Sequence, residues 1–427
     1  MVGARAGIVV TGTEVLTGRT PDRNGPFLAE RLREQGVDVA QVVVVGDRPD
    51  DLAASLAFLA GTDLIITSGG LGPTADDLTA QVVAEFQGRP LRLEPELERD
   101  IAAIVARLSA GRGWRVDPEA TAAGTRKQAM VPVGASVLAP TGTAPGLVVP
   151  AGAGRSGPPV VVLPGPPREL QAMWPAAMAD PAVRQALADR AEIRQRTVRL
   201  FDVPESELAA MLRAEGPTLA GLEISTCLQD GELEVVTRYG PAQEAQYQDF
   251  RAALARAYPV AAFALDGQRI DELVAGGLTG RGLTLAVAES CTAGRLTARL
   301  AERPGASAYL LGGISAYADR AKQQLLDVPE ALLARHGAVS AEVAAAMADG
   351  ARRRFAAAVG VGITGVAGPG GGSAGKPVGL VHLCVTDGQR EQALRVQLPG
   401  GRTDVQRRAV VAALHLIREF IAADGQQ

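Results

Sequence analysis

The feature that most constrains the fold is an alternation of short β-branched segments with longer helix-like segments. In the first third of the chain, buried strands are predicted at residues 7–11, 39–45, 63–67 and 159–163. Helices are predicted between them at residues 24–35, 49–60 and 76–86. This alternation is typical of βαβ units around a mostly parallel sheet. Residues 135–159, rich in Gly and Pro, are expected to form loops at one edge of that sheet.

The last third repeats the alternation, with a smaller unit before it. Strands are predicted there at residues 284–288, 308–316, 360–364, 379–386 and 393–397, and helices at 269–279, 293–301, 341–357 and 403–422. The intervening pattern is a small α+β module. We therefore expect two unlike α/β domains with mostly parallel sheets joined by a small α+β connector, with domains over residues 1–170, 171–262 and 263–427.

Composition narrows the functional classes. The chain has 427 residues, 47% of them hydrophobic, and a net charge of −4, so it can bury large cores and has no overall positive field for nucleic acid. No uncharged apolar run reaches about 18 residues, and we expect no membrane span. Its three cysteines lack CxxC spacing, and the first residues do not resemble a signal peptide. These patterns favour a reducing, cytoplasmic location.

Lysine is rare in this chain, because almost every basic residue is Arg. The lysines are Lys127, Lys322 and Lys376. A desolvated Lys can become a neutral base, whereas Arg stays protonated. Each lysine is therefore a candidate for a function that Arg cannot perform.

A first candidate site follows the predicted strand at residues 63–67. Glycines at a strand's carboxyl end let the backbone approach a ligand, and the following helix N-terminus suits phosphate. Asp76 and Asp77 would either cap this helix or hold a hard cation. Asn24, the only Asn, is either an N-cap or a ligand contact. The other candidate ligand-binding residues come from this turn and three further segments: Glu14, Ser68, Gly69, Gly70, Gly72, Thr74, Gly142, Pro164 and Gly165.

A second candidate site surrounds Ser290, which lies in another turn from strand to helix. Ser290 could be a nucleophile beside a helix N-terminus that supplies an oxyanion hole, or Ser290 or Thr292 could simply cap the helix. The histidines fit structural positions better than a triad, and a buried neutral Lys322 is the alternative base. Further candidates contact the substrate or its phosphate: Thr292, Tyr317, Thr364, Gly365, Gly368, Gly370, Arg402 and Arg407.

Taken together, these segments resemble the CinA (competence/damage-inducible protein A) family. In the first part the resemblance is carried by residues 12–14, Asn24 and residues 67–79, 126–130, 142–146 and 163–169. That part is similar to molybdopterin-binding proteins of the MoaB/MogA type, which implies a nucleotide- or pterin-like ligand. In several members it implies hydrolysis of the ADP-ribose pyrophosphate bond by a divalent metal such as Mg, with Arg168 neutralising phosphate. We assign the metal to Asp76 and Asp77.

The last part resembles the nicotinamide mononucleotide deamidase domain of the same family, through residues 288–294, 317–322, 336–340, 362–372 and 377–380. The resemblance implies Ser290 as nucleophile, Ser307 as proton relay and Lys322 as base, with no cofactor. The products would be nicotinate mononucleotide and ammonia, in pyridine-nucleotide recycling.

The chain departs from the family pattern at three places. In the first part, Pro140-Thr141 stands where an asparagine is usual before the turn at Gly142. Ala293 replaces a usual glycine, and Gln406 replaces an arginine. The partners expected are small nucleotides and a second copy in a homodimer, with no direct nucleic acid. The alternatives are a non-catalytic partner-binding protein of DNA uptake or recombination, and a first domain that only binds its ligand.

Overall fold

The computed structural model describes residues 3–112 and 117–423. The chain divides into two compact units, residues 1–195 with 239–242 and residues 196–238 with 243–427. The strands up to residue 193 are β1 Arg5–Thr11, β2 Asp38–Val45, β3 Leu64–Ser68, β4 Leu91–Leu93, β5 Met130–Pro132, β6 Ser136–Leu138, β7 Gly146–Val149 and β8 Val160–Leu163. The helices there are α1 Thr13–Leu16, α2 Asn24–Glu34, α3 Pro49–Phe58, α4 Thr79–Gln87, α5 Pro95–Arg112, α6 Pro118–Gln128, α7 Pro167–Ala179 and α8 Pro181–Ala186.

The main sheet of the first unit has the order β2-β1-β3-β8-β7-β6. Its first four strands are parallel to one another, and β7 pairs antiparallel with both β8 and β6. Helices α2 and α7 pack on one face and α3 and α4 on the other, because alternate β1 residues such as Ile8 and Val9 enter opposite cores. The expectation that residues 135–159 form only loops was wrong. Strands of three and four residues show too little alternation to stand out among Gly and Pro.

The second unit contains the remaining elements. Its strands are β9 Arg194–Phe201, β10 Glu223–Gln229, β11 Glu232–Tyr239, β12 Ala262–Ala264, β13 Leu285–Glu289, β14 Leu310–Ser315, β15 Val359–Gly365, β16 Leu380–Thr386 and β17 Glu391–Gln397. Its helices are α9 Glu205–Ala214, α10 Glu244–Ala257, α11 Ile270–Gly280, α12 Arg295–Ala301, α13 Asp319–Leu326, α14 Glu330–His336, α15 Ala341–Phe355 and α16 Arg402–Ala423.

The larger sheet of the second unit has the order β14-β13-β15-β16-β17. The pairs β14–β13 and β13–β15 are parallel, whereas β16 pairs antiparallel with both β15 and β17. Helix α15 lies directly on β15, because Gly360 and Gly362 leave no side chain between strand and helix. A Cβ atom at either glycine would collide with a carbonyl oxygen of α15. The opposite face is covered by α11 and α16.

A separate sheet, ordered β10-β11-β9-β12, forms the α+β part of the chain. Its core includes Leu200, Leu233, Val235 and Leu254. The predicted fold class, two unlike α/β parts with a small α+β element between them in sequence, is confirmed. The predicted domain boundaries stay a prediction. No helix in the described part of the chain is long and apolar enough to cross a membrane.

Candidate functional site

The first unit contains a cavity of about 670 Å³ at the carboxyl ends of β1, β3 and β8. Parallel strands end at the same edge, so the loops that follow them converge there. The structure places ten predicted residues in its wall: Glu14, Asn24, Ser68, Gly69, Gly70, Gly72, Asp76, Asp77, Pro164 and Gly165. Thr74 and Gly142 lie beside the cavity rather than in its wall.

Asn24 is a buried side chain that ties two loops of this cavity together. Its Nδ2 donates to Ser68 Oγ at 2.8 Å and to the Gly165 carbonyl at 2.6 Å. The N-cap of α2 is Arg23, so Asn24 is not a cap. Its Oδ1 has no hydrogen-bond partner although Asn24 is only 6% exposed. A buried acceptor without a donor is costly, and a ligand that donates to it would remove that cost.

Asp76 and Asp77 precede helix α4 instead of occupying its first turn as expected. The helix begins at Thr79, whose N–H donates to the Gly70 carbonyl. The Thr74 hydroxyl donates to Asp76 and Asp77, each at 2.5 Å, and the hydrogen bond from Thr74 holds the pKa of Asp76 below its usual value. Among the described residues, no three His, Cys, Asp or Glu side chains are arranged to hold a metal ion.

The sequence reasoning missed several charged residues of the cavity wall. Asp22, Asp47 and Glu169 add carboxylates, and Arg23 is the basic residue in this wall. Arg168, expected to neutralise phosphate, is not part of the wall, whereas its neighbour Glu169 is. Burial raises the pKa of Glu169. Gly142 lies against this carboxylate, and a Cβ there would collide with it.

The second candidate site lies at the carboxyl edge of β13, β14 and β15. The Ser290 N–H donates to the Ile363 carbonyl, and the Ala316 N–H donates to the Glu289 carbonyl, so the loops after these strands are neighbours. Ser290 is 8% exposed. In the described chain no hydrogen bond joins its hydroxyl to another group. Burial raises the pKa of the adjacent Cys291 thiol to about 12, so this thiol stays protonated and is a poor nucleophile.

Glu289 is a fully buried carboxylate that organises the Ser290 turn. Its Oε2 accepts from the N–H groups of Gly294 and Leu296, each at 3.1 Å. Its Oε1 accepts from the Thr297 N–H at 2.9 Å and from the Thr297 hydroxyl at 2.7 Å. These donors include N–H groups in the first turn of α12. The prediction that this helix supplies an oxyanion hole is therefore wrong. Its N–H groups are already occupied by Glu289.

Other backbone donors remain in the same turn. The N–H of Thr292 makes no hydrogen bond to the backbone of any described residue, and that of Cys291 approaches only its own sulfur; both residues are buried. The Thr292 hydroxyl is fully buried and also without a partner. The helix begins at Arg295, with Gly294 as N-cap, so neither Ser290 nor Thr292 caps it. The turn therefore presents unpaired donors beside Ser290.

Lys322 is a buried amine at the same edge. It is 1% exposed, and its Nζ donates to the Tyr317 carbonyl at 3.2 Å. Burial lowers the pKa of Lys322, while Asp319, 3.5 Å from Nζ, opposes that shift. The Tyr317 carbonyl that Nζ contacts directly follows Ala316, whose N–H donates to the Glu289 carbonyl, so the amine lies near the Ser290 turn. The sequence interpretation required a buried lysine, and this placement agrees with it.

Arg402 connects Tyr317, in the loop after β14, to Gly368, in the loop after β15. Arg402 Nη2 donates to the Tyr317 hydroxyl at 2.6 Å, and Nη1 donates to the Gly368 carbonyl at 2.9 Å. The glycine-rich loop that follows Gly365 at the end of β15, and that includes Gly370, is thereby joined to α16. Thr364, in β15, is 1% exposed, and its hydroxyl donates to the Ala338 carbonyl at 2.7 Å. The Thr364 hydroxyl therefore stabilises the backbone at Ala338.

Two positions where the chain departs from the expected pattern acquire a structural explanation. Buried Gln406 donates to the Cys291 carbonyl at 2.7 Å and accepts from Arg295 Nε at 3.1 Å, so it braces the Ser290 turn. Ala293 has φ of 52°, in the left-handed region that favours glycine. Alanine in place of glycine at position 293 therefore strains the backbone, and the sequence alone did not reveal this strain.

Two predicted residues are not brought to the site. Ser307 precedes β14, whereas Ser290 follows β13, and these strands are parallel, with Leu285 opposite Leu310. The two serines are at opposite ends of the sheet, about 16 Å apart along the strand direction. The expected relay through Ser307 within one chain does not fit this placement. Arg407 donates to Asp230 at 2.6 Å and to Asp404 at 3.0 Å, so carboxylates already occupy it.

Both parts of the chain are similar to known proteins. The family profile described as "CinA C-terminal domain" matches residues 267–421, and that described as "Probable molybdopterin binding domain" matches residues 7–185. A "CinA-like protein" from Mycobacterium sp. (strain JLS) is 56% identical over 98% of this chain and 99% of its own length. The chain belongs to the CinA family. The match to this relative extends over nearly the whole chain, so family membership applies to both units.

Other family members show the same similarity. A CinA-like protein from Mycobacterium tuberculosis is 50% identical over 99% of this chain and 98% of its own length. A solved structure, the competence/damage inducible protein CihA from Agrobacterium tumefaciens, is 39% identical over 37% of this chain and 96% of that chain, with a TM-score of 0.34. The resemblance to the CinA family and to its MoaB/MogA-like first part is confirmed.

Proposed function

We propose that the second unit of this CinA family member hydrolyses the carboxamide of nicotinamide mononucleotide. The observation that carries the proposal is the buried amine of Lys322 beside the turn that holds Ser290. Burial favours the neutral amine, and a neutral amine can accept the serine proton. The neighbouring thiol of Cys291 stays protonated, which leaves the Ser290 hydroxyl as the nucleophile of this turn.

The proposed reaction proceeds through an ester on Ser290. The Ser290 oxygen attacks the carboxamide carbon while its proton passes to Lys322 Nζ. In this scheme the backbone N–H groups of the Ser290 turn, among them that of Thr292, would stabilise the developing oxyanion. The protonated Lys322 then returns the proton to the departing nitrogen, and ammonia leaves. Water, deprotonated by Lys322, attacks the ester carbon and releases nicotinate mononucleotide, and the serine regains its proton.

Charged and flexible groups at the rim suit the rest of such a substrate. Arg402 is a guanidinium at the start of α16, beside the glycine-rich loop, and can pair with a phosphate in bidentate fashion. Tyr317 is 56% exposed and offers an aromatic face beside the same Arg402. These groups support a phosphorylated ribose with an aromatic base as the substrate class, and the scheme uses no cofactor.

Release of ammonia from nicotinamide mononucleotide by the full-length protein tests this proposal. We expect Ser290→Ala and Lys322→Met each to lower kcat at least about a hundredfold, the usual effect of removing a nucleophile or its base. Lys127→Met, a matched lysine change in the first unit, should retain the parent activity. Parent-like ammonia release from both site variants would refute the mechanism. A parent protein without activity would leave the non-catalytic, partner-binding interpretation in its place.

We further propose that the first unit hydrolyses a pyrophosphate such as that of ADP-ribose with a divalent metal. Six carboxylates and one Arg in the cavity wall would repel a diphosphate unless a cation were bound. Magnesium binds through one or two carboxylates plus substrate phosphates, so Asp76 and Asp77 suffice without a cage of three carboxylates. The unpaired Asn24 Oδ1 in the same wall indicates a donor on the ligand. When bound, the metal would neutralise phosphate and activate water.

The pyrophosphatase proposal is tested by incubating the protein with ADP-ribose, with and without MgCl2, and measuring AMP. We expect AMP only with the metal, and its loss in Asp77→Asn. Binding of ADP-ribose without AMP under any divalent metal would instead favour a unit that only binds its ligand.

A further inference from the structure

The β10–β11 hairpin contacts the helix that carries Arg402. Asp230 and Gly231 form the two-residue turn between the strands, with φ of 57° and 94°, and Gln229 pairs with Glu232. Positive φ at both positions is the signature of a type I′ turn, which Asp-Gly favours. The sequence therefore fixes a tight tip on this hairpin, and that tip projects the Asp230 carboxylate.

Two contacts hold this hairpin against α16. Arg407 Nε donates to both carboxylate oxygens of Asp230 at 2.6 Å, and the Asp230 side chain is only 8% exposed. Eight residues further along the same helix face, His415 stacks on Phe201 at 3.7 Å between ring centroids. His415 Nε2 lies 2.8 Å from Glu232 Oε1. The hairpin is thus docked at a defined position along the helix.

The Asp230 contact continues toward the proposed active site. Arg407 Nη2 donates to Asp404 Oδ1 at 3.0 Å, and Asp404 Oδ2 accepts from the Gly401 N–H at 3.0 Å. Gly401 directly precedes Arg402, which donates to the glycine-rich loop and to Tyr317. An unbroken series of hydrogen bonds and one peptide link therefore joins the hairpin tip to Arg402.

We propose that Asp230 is a positioning residue for the amide-hydrolysing site, acting through Arg407 and Asp404 on the first turn of α16. The inference rests on the proposed function of the second unit. It assigns the α+β sheet a part in substrate binding, because the sheet holds the residue that orients Arg402. The sequence predicted that Arg407 binds the phosphate directly. In this proposal Arg407 instead helps to position Arg402, which binds it.

The test removes the charge of Asp230 but keeps its turn. Asp230→Asn preserves an Asn-Gly type I′ turn, and Arg407→Gln removes the partner. We expect either variant to raise KM for nicotinamide mononucleotide about threefold to tenfold, the range of long-range coupling energies, with kcat within about twofold. The double variant should resemble the single ones, because both interrupt the same series of contacts.

Amide hydrogen exchange supplies a second measurement that does not depend on catalysis. Asp230→Asn should speed exchange across residues 400–407, including the Gly401 N–H. Asp266→Asn, a matched change in another Asp-Gly pair with an exposed Asp, should match the parent in KM and exchange. A parent-like KM and exchange in Asp230→Asn would overturn the proposal, as would a lower unfolding temperature with unchanged KM. A parent inactive on this substrate would refute the proposed function, and exchange would still decide whether the contact orders α16.

Discussion

The buried carboxylate of Glu289 offers the sharpest test of how the Ser290 turn is held. Glu289→Gln keeps the shape of the side chain but replaces one acceptor oxygen by an NH2 group. The best orientation leaves the amide oxygen with Gly294 and Leu296 and directs the new NH2 toward Thr297. The Thr297 hydroxyl can turn to accept, but the Thr297 N–H then faces another donor.

The magnitude follows from these contacts. One buried N–H without a partner costs about 1–3 kcal/mol, and hydrogen bonds to a neutral acceptor contribute roughly 1 kcal/mol less than those to a carboxylate. Relief of the desolvated charge offsets part of this loss. We expect the free energy of unfolding of the second unit to fall by about 3 kcal/mol. For a unit of this size, this corresponds to a melting temperature about 6–12 °C lower.

Cysteine labelling during thermal or guanidinium unfolding measures this effect. Cys291 and Cys384 are buried in the second unit and react with a thiol reagent when it opens, whereas exposed Cys227 reacts at once and calibrates the reagent. Both tryptophans fall within residues 1–195, so their fluorescence follows the first unit separately. Glu330→Gln, at an exposed position, is the control. If the buried cysteines of Glu289→Gln were labelled with the same unfolding midpoint as those of the parent, the stabilising role of Glu289 would be refuted.

Three further predictions concern the same unit. Because burial lowers the pKa of Lys322, kcat/KM for amide hydrolysis should rise with pH through an inflection below the ordinary lysine value; a profile without this limb would contradict a lysine base. Gln406→Ala removes the donor to the Cys291 carbonyl and should lower kcat about tenfold with little change in KM, measured by ammonia release; an unchanged kcat would show that the brace is dispensable. Gly362→Ala drives a Cβ against the α15 backbone and should lower the free energy of unfolding by about 3 kcal/mol, whereas exposed Gly276→Ala, with open space around it, should stay within about 1 kcal/mol of the parent. Parent-like unfolding of Gly362→Ala would mean that the helix can move off the strand.

Local patterns in the sequence predicted most of the elements. Strand β13 and helix α15, predicted at residues 284–288 and 341–357, occur as Leu285–Glu289 and Ala341–Phe355. Periodicity and turn residues carry this information, because both depend on neighbours in sequence. The short β6 and β7 were not predicted, because a strand of three or four residues forms through its pairing with the neighbouring strands of the sheet. The glycine-rich turns and Ser290 were likewise visible, because each follows a strand.

The sequence by itself determined that two α/β parts would each gather loops at one edge of a sheet, because βαβ order places strand ends together. The tertiary structure decided which side chains meet there. It buried Lys322 beside the Ser290 turn, placed Ser307 at the far end of the strands, and paired Arg407 with Asp230, 177 residues away in sequence. Such pairings depend on sheet order and on competition among distant charges for the same partner, which no local pattern encodes.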